Sequence, residues 1–307
     1  MDPVAEPVPP VEPVVARLRR AGCVFAEDEA RLLTAAADGA RLAELVARRA
    51  AGEPLEHLLG HVEFDGLRVA VTGGVFVPRR RTEALVHAAA ALTVPGTVVV
   101  DLCCGCGAIG LAVVRRAAGA AWPARPAEVA RPAGVAHPAE AAPSAEAAQP
   151  AAAWSAWSGA GPVELHAADV DPVATACAAT NLAGVGTVHT GDLFDALPGS
   201  LRGRVGVLVA NTPYVPADAI AGMPPEARDH EPRLALDGGT DGLDPARRVA
   251  AGAAAWLAPG GTVLIETGAA QAPVLAEELA RHGLRAEIGS DDDRDATWVT
   301  GCLTRTA

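Results

Sequence analysis

The chain has 307 residues, enough for one large domain and a small one, and half of them are hydrophobic. Its net charge of −12 argues against a general affinity for nucleic acid, which requires clustered basic side chains. An acidic, proline-rich N-terminus predicts no signal peptide, and no apolar stretch is long enough to span a membrane. The six cysteines are irregularly spaced, which disfavours a disulfide framework and indicates a cytoplasmic protein.

Three segments open the chain. Residues 1–14 are rich in proline and predict a disordered tail. Residues 15–60 carry apolar residues at helical spacing between glycine breaks, which predicts a small helical N-terminal domain. Residues 61–78 alternate around Gly73 and Gly74, which predicts a β-hairpin linker, and a helix is expected after Pro78.

Residues 79–307 alternate between short apolar runs and helical segments. The runs predict strands over residues 97–102, 163–167, 188–190, 205–210, 262–266 and 298–303. Strands that alternate with helices are joined by right-handed crossovers, so we expect an α/β fold with a mostly parallel sheet flanked by helices.

An insertion at about residues 117–161 interrupts this alternation. It consists mainly of alanine and proline, and repeated prolines disfavour a continuous helix. We interpret it as a disordered linker. Trp122, Trp154 and Trp157 leave open that it binds a partner.

The loops after the first, second and third of these strands are candidates for a cofactor site. Glycines after the first strand would let the backbone approach a ligand closely, and ligands of open α/β sheets bind at the carboxyl ends of strands. Asp169 could accept hydrogen bonds from a ribose diol, or it could simply cap the next helix. Asp192, in the loop after the third strand, could contact an adenine amino group. The candidates are Asp101, Cys103, Cys104, Gly105, Cys106, Gly107, Asp169, Asp192 and Leu193.

The segment Asn211-Thr212-Pro213-Tyr214 follows another apolar strand and therefore lies at the same edge of the sheet. A planar amide is a poor nucleophile, so its NH2 group must be held by two acceptors. The Asn211 side-chain oxygen and the Thr212 carbonyl could hold it, while Tyr214 packs against the plane. Such catalysis depends mainly on orientation and electrostatics. The alternative is an ordinary turn formed by asparagine and proline.

The order of these motifs resembles that of the HemK/PrmC-type protein N(5)-glutamine methyltransferases, a branch of the Rossmann-like class I methyltransferases. The resemblance runs from about Glu53 to Leu303. Besides the segments above, its blocks span residues 53–60, 63–64, 77–79, 82–86, 230–232, 235–243 and 257–266.

The resemblance implies transfer of a methyl group from S-adenosylmethionine to a glutamine side chain, with Asn211 and Tyr214 as the catalytic residues. The cofactor would be bound by residues 103–107, Asp169, Asp192 and Leu193, together with Asp101 and Asn211. Residues 211–214 would bind the substrate. In the family, the acceptor is the Gly-Gly-Gln motif of a peptide-chain release factor, and a close branch modifies a ribosomal protein. We further expect a cytoplasmic monomer without a metal, a membrane contact or direct nucleic-acid binding.

Two positions depart from the family pattern. Cys103 replaces the first glycine of the cofactor loop, which is tolerable if its φ angle is negative. Thr212 replaces the usual proline, which keeps the backbone carbonyl but reduces rigidity.

Three other functions compete with glutamine methylation. Adenine-N6 methylation would use the same acceptor motif on an exocyclic amine, but the acidic charge and the lack of a target-recognition domain oppose it. A metal or redox module could use Cys103, Cys104 and Cys106, although their spacing fits no common zinc site. An inactive relative could survive as a binding protein, which measured cofactor affinity would test.

Overall fold

Four short helices form the N-terminal part of the protein, whose computed structural model describes residues 11–119 and 162–304. They are α1 (Val11–Arg20), α2 (Ala26–Ala36), α3 (Gly39–Ala50) and α4 (Leu55–Leu59). Their apolar faces enclose a separate core that includes Leu18, Leu33 and Leu45. The tail expected over residues 1–14 is therefore too long by several residues, because α1 already buries Val14 in this core. Residues 1–10 lie outside the described part.

A hairpin of two antiparallel strands follows, β1 (His61–Phe64) and β2 (Leu67–Ala70). Its turn is Asp65-Gly66, with φ angles of 50° and 71°, and not Gly73-Gly74 as the alternation suggested. A two-residue turn with positive φ at both positions matches the natural twist of the strands, and Asp-Gly is a preferred pair for it. The expected hairpin is present, but its turn was placed too late in the sequence.

Helices and strands alternate through the rest of the described chain. In order they are α5 (Glu83–Leu92), β3 (Val98–Leu102), α6 (Ala108–Ala118), β4 (Glu164–Asp169), α7 (Pro172–Asn181), β5 (Gly186–Thr190), β6 (Val205–Ala210), α8 (Pro225–His230), α9 (Asp244–Trp256), β7 (Leu257–Glu266), α10 (Ala272–Arg281), β8 (Leu284–Asp291) and β9 (Ala296–Leu303).

The seven strands β3–β9 form one sheet in the order β5-β4-β3-β6-β7-β9-β8. The ladders are parallel except those of β9, which runs antiparallel to β7 and β8. Helices α5, α6 and α7 cover one face of the sheet, and α9 and α10 cover the other. The expected Rossmann-like α/β fold of the class I methyltransferases is confirmed.

Strand β8 is the element that the sequence pattern did not predict. It lies at the edge of the sheet, and most of its side chains are partly or fully exposed. An edge strand does not need an apolar run, and charged residues such as Arg285 and Glu287 protect it from pairing with other chains.

The insertion expected at 117–161 begins slightly later, because α6 continues to Ala118. The prediction of a disordered linker falls on residues 120–161, which lie outside the described part. None of the helices within residues 11–119 and 162–304 is long and apolar enough to cross a membrane.

The order of the strands determines where a ligand can bind. The chain proceeds from β3 to β4 and β5 on one side and then returns to β6 on the other side of β3. At such a switch point the connections diverge, which opens a crevice at the carboxyl ends of the strands. The loops after β3, β4, β5 and β6 are those that carry the predicted site residues.

Asn181, at the end of α7, ties the hairpin to the loop after β3. Its side chain accepts a hydrogen bond from Ala70 N at 2.9 Å and donates to Ala70 O and Cys106 O, both at 2.8 Å. These three bonds link the hairpin, α7 and the loop after β3.

We expect Asn181→Ala to lower the free energy of unfolding by about 1–3 kcal/mol, because part-buried backbone groups lose their partners. Chemical denaturation measures this change. Thr180→Ala is the matched control, since its exposed hydroxyl bonds only within the helix, to Ala176 O. Equal losses in the two variants would contradict this role for Asn181.

Candidate active site

A cleft opens at the carboxyl ends of β3, β4 and β6, where the strand order predicts one. Most of the site residues expected from the sequence line it together: Cys103, Cys104, Gly105, Cys106, Asp169, Asp192, Leu193, Asn211, Thr212, Pro213 and Tyr214. Asp101 and Gly107 do not line the cleft. Segments far apart in sequence therefore meet at one edge of the sheet.

Asp101 supports the turn from the cofactor loop into α6 from the interior of the protein. It is fully buried, and its Oδ2 accepts a hydrogen bond from Gly110 N in the first turn of α6 at 2.8 Å. Burial raises the pKa of its carboxyl to about 7. Its Oδ1 has no hydrogen-bond partner within the described residues, so a cationic or donor group nearby would be favourable. The structure therefore gives Asp101 a supporting place, and not the direct lining position that we expected.

The loop from Cys103 to Gly107 turns sharply between β3 and α6. Cys104 N donates to Ala168 O at 3.1 Å, and Gly107 N donates to Cys104 O at 2.7 Å. Cys103 has a φ angle of 56°, so the condition of a negative angle is not met. Cys103 comes just before both of these bonds, and it adopts the left-handed region although it is not glycine. Such a conformation costs about 1–2 kcal/mol for a residue with a Cβ atom.

Cys103→Gly should therefore leave the free energy of unfolding unchanged or raise it by up to about 1 kcal/mol, since relief of strain offsets the added freedom of the unfolded chain. Urea denaturation tests this. The control is Cys104→Gly, because Cys104 is buried and is not among the residues with positive φ. That variant should be destabilised. A loss in Cys103→Gly as large as in Cys104→Gly would show that the turn is not strained.

Asp169 ends β4 and faces the cleft. Its Oδ2 accepts a hydrogen bond from Gly105 N at 2.9 Å, and its Oδ1 accepts one from Asp171 N at 3.0 Å. Burial raises the pKa of its carboxyl despite these bonds. The helix-cap alternative belongs to Asp171, which accepts a bond from Val173 N at 2.8 Å. Asp169 is thus left to accept hydroxyl donors from a ligand in the cleft, as the ribose of S-adenosylmethionine would supply.

Asp192 and Leu193 lie on the far side of the same cleft. The Asp192 carboxylate forms an exposed ion pair with Arg248 of α9, with 2.7 Å between Oδ2 and the guanidinium. Leu193 has a φ angle of 47° and so, like Cys103, adopts the left-handed region at the cleft wall. Strained residues of this kind concentrate at ligand sites. The two residues are placed where an adenine ring can be bounded by a carboxylate and an apolar side chain.

Asn211 follows β6 at the centre of the cleft. Its Nδ2 donates a long hydrogen bond, 3.5 Å, to the Thr82 hydroxyl oxygen, and Oδ1 is the acceptor of this side-chain amide. The neighbouring Thr212 is buried, and its own hydroxyl has no partner within the described residues. Asn211 and Thr212 both line the cleft.

Tyr214 is held at both ends. Arg81 donates a hydrogen bond to its hydroxyl, and the guanidinium carbon lies 5.8 Å from the centre of its ring. Gln271 donates to its backbone carbonyl at 3.0 Å. Burial raises the pKa of the phenol, which therefore stays protonated at neutral pH. The ring provides a rigid, flat wall for a planar group.

Several residues at this site were not assigned from the sequence. Arg81 and Thr82 come from the segment that leads into α5, and Phe76, Met223 and Leu234 form an apolar rim. Their positions follow from loops that fold over the cleft, and no local pattern in the sequence marks them. Glu266, in contrast, could have been predicted from the sequence, because it ends β7 at the sheet edge where the other site residues lie.

The cysteine cluster does not resemble a metal centre. Burial raises the pKa of the Cys103, Cys104 and Cys106 thiols, and a thiolate is the form that binds metals. Among residues 11–119 and 162–304, no group of three histidine, cysteine or acidic side chains is arranged around a common point. These three residues belong to the wall of the cleft.

Comparison with known proteins places this site in a family, although no protein-family model matches the chain. The release factor glutamine methyltransferase of Deinococcus radiodurans is 33% identical over 297 residues, covering 90% of this chain and 91% of that protein. That of Geobacter sulfurreducens is 34% identical over 257 residues, covering 84% and 75%. Among solved structures, a methyltransferase from Pyrococcus furiosus aligns at a TM-score of 0.47 and 12% identity, covering 78% of this chain and 90% of that one.

These relatives match this chain over most of its length. Their identity exceeds 30% over most of both chains, and the cleft holds the motif residues together. The chain therefore belongs to the family of release factor glutamine methyltransferases.

Proposed function

We propose that this protein methylates the side-chain amide nitrogen of the glutamine in the Gly-Gly-Gln motif of a peptide-chain release factor. One observation carries the proposal: Asn211, Thr212 and Tyr214 line the same cleft as Asp169 and residues 103–106 of the cofactor loop. The relatives named above act, by name, on release factors. We also propose that the protein acts in the cytoplasm as a monomer and does not bind nucleic acid directly.

Each part of the cleft has a distinct task. Asp169 accepts the ribose hydroxyls, and the backbone of Cys103 to Gly107 lets the cofactor approach closely. When bound, S-adenosylmethionine supplies an electrophilic methyl group on a sulfonium. Asn211 and the Thr212 carbonyl accept the two N–H bonds of the glutamine amide, which orients the nitrogen lone pair along the cleft. Such orientation is the main contribution of these residues to the acceleration.

The proton that the amide nitrogen loses after methylation leaves to solvent. The Tyr214 ring packs against the amide plane and keeps the side chain from rotating. Phe76, Met223 and Leu234 add apolar side chains to the lining of the cleft. The chain therefore contributes orientation and local dipoles, whereas the reactive group comes with the cofactor.

Transfer of labelled methyl groups tests the proposal. Purified protein is incubated with labelled S-adenosylmethionine and, in separate reactions, with a release factor, with ribosomal proteins and with DNA or RNA. We expect label in the release factor alone. Label in a ribosomal protein would move the activity to the other branch of glutamine methylation, and label in nucleic acid would indicate adenine-N6 methylation.

A further inference from the structure

A carboxylate lies buried beside the acceptor site without an evident task. Glu266 ends β7 and is 3% exposed. Neither of its oxygens makes a hydrogen bond of normal geometry within the described residues, and its polar neighbours there are the Thr82 hydroxyl and Arg81. Burying a charged group in this way is costly unless a partner compensates it. The cationic group that faces it is Arg81, whose Nε lies 3.6 Å from Oε1. Burial also raises the pKa of this carboxyl.

Arg81 connects this carboxylate to the acceptor site. While its Nε faces Glu266, its Nη2 donates the hydrogen bond to the Tyr214 hydroxyl. The Arg81 side chain is 42% exposed, so without an anchor the flexible guanidinium would move into solvent. The buried carboxylate is therefore the fixed end of a chain of contacts that runs from Glu266 through Arg81 to Tyr214.

We infer that Glu266 is a positioning residue for methyl transfer: it holds Arg81, and Arg81 holds the Tyr214 ring in the orientation that receives the substrate amide. This inference rests on the proposed function and adds two residues to it. Gln271 fixes the backbone of Tyr214 and the Glu266–Arg81 pair fixes its hydroxyl, so the ring is held at both ends. Because the Tyr214 ring already has this orientation before the glutamine binds, binding carries no entropic cost for ordering it.

A double-mutant cycle tests the connection. Glu266→Gln keeps the shape of the side chain and removes its charge, and we expect it to lower kcat/KM for the release factor roughly tenfold, the scale of losing the charge-assisted hydrogen bond from Arg81 to the Tyr214 hydroxyl. In a Tyr214→Phe background the same change should have almost no further effect, because Arg81 no longer has a hydroxyl to hold. Affinity for S-adenosylmethionine, measured by calorimetry, should be the same in all four proteins. Equal losses from Glu266→Gln in both backgrounds would show a general structural role and overturn the inference.

A second measurement does not depend on activity. Tyr214 is the only tyrosine of the chain, so ultraviolet titration of the phenol reports on this side chain alone. Arg81 lowers the pKa of the phenol by favouring the phenolate, against the larger opposite effect of burial. Arg81→Gln should therefore raise that pKa, and an unchanged titration would show that Arg81 does not hold Tyr214. If the parental protein methylates no release factor, the proposed function fails, while this titration still decides whether the contact exists.

Discussion

Replacing Asn211 by alanine is expected to lower the rate of glutamine methylation by roughly 10²–10³, the usual cost of removing one positioned polar contact in a transition state. Within residues 11–119 and 162–304, the hydrogen bond of the Asn211 side chain is the long one to Thr82, so its loss should disturb the fold little. Its oxygen is needed once the substrate amide is present. Single-turnover kinetics with saturating S-adenosylmethionine would measure the rate, and calorimetry would show that the cofactor affinity is nearly unchanged.

Thr212→Val is the matched control for this experiment. It alters the neighbouring side chain but keeps the backbone carbonyl, and it removes a buried hydroxyl that has no partner within residues 11–119 and 162–304. Replacing an unpartnered hydroxyl by an apolar group of the same shape is neutral or stabilising. Activity should persist, as it should in Thr212→Pro, which restores the usual family residue. If Asn211→Ala methylated glutamine at the parental rate, the acceptor would have to bind elsewhere.

The second large effect concerns Asp169. Asp169→Ala should raise the dissociation constant of S-adenosylmethionine roughly a hundredfold or more, because two hydroxyl groups lose a charged acceptor and each such bond contributes about 1.5–3 kcal/mol. The substitution also releases Gly105 N, which the carboxylate holds in the cofactor loop. Both effects weaken the same site. Isothermal titration calorimetry measures the constant directly.

Asp171→Asn controls for the loss of negative charge at the same wall. Asp171 lines the cleft and caps α7, and asparagine serves as a helix cap about as well as aspartate. Its dissociation constant should stay near the parental value, with circular dichroism confirming that both variants fold. An Asp169→Ala protein that binds the cofactor normally would remove this residue from the site.

Local patterns predicted the parts of the fold that depend on local chemistry. Buried parallel strands require apolar runs, and the run from Val205 to Ala210 coincides with β6. The polar residue after each strand marked the cleft, because parallel strands end at one edge of a sheet. Edge strand β8 lacks an apolar run and was missed, and the Asp65-Gly66 turn was overlooked in favour of two glycines.

Contacts between distant segments account for what the sequence left undetermined. Cys103 adopts a positive φ angle although it is not glycine, and its residue type gives no sign of that. Arg81 and Tyr214 are 133 positions apart, and no local pattern in either segment predicts that the two side chains meet. Asp101 lies near the end of β3, as the strand-end rule requires, but its carboxylate accepts a hydrogen bond from Gly110 N and does not line the cleft. Which strand-end groups face a ligand depends on such tertiary bonds.

The central claim is that the methyl group is transferred to a glutamine side chain, and locating the modified atom tests it most directly. A purified release factor and its variant with asparagine in place of the Gly-Gly-Gln glutamine are each incubated with this protein and labelled S-adenosylmethionine, digested, and analysed by tandem mass spectrometry. The account predicts one added methyl group on the side-chain nitrogen of that glutamine and no label in the asparagine variant. Label at another residue, or label that persists in the variant, would contradict it.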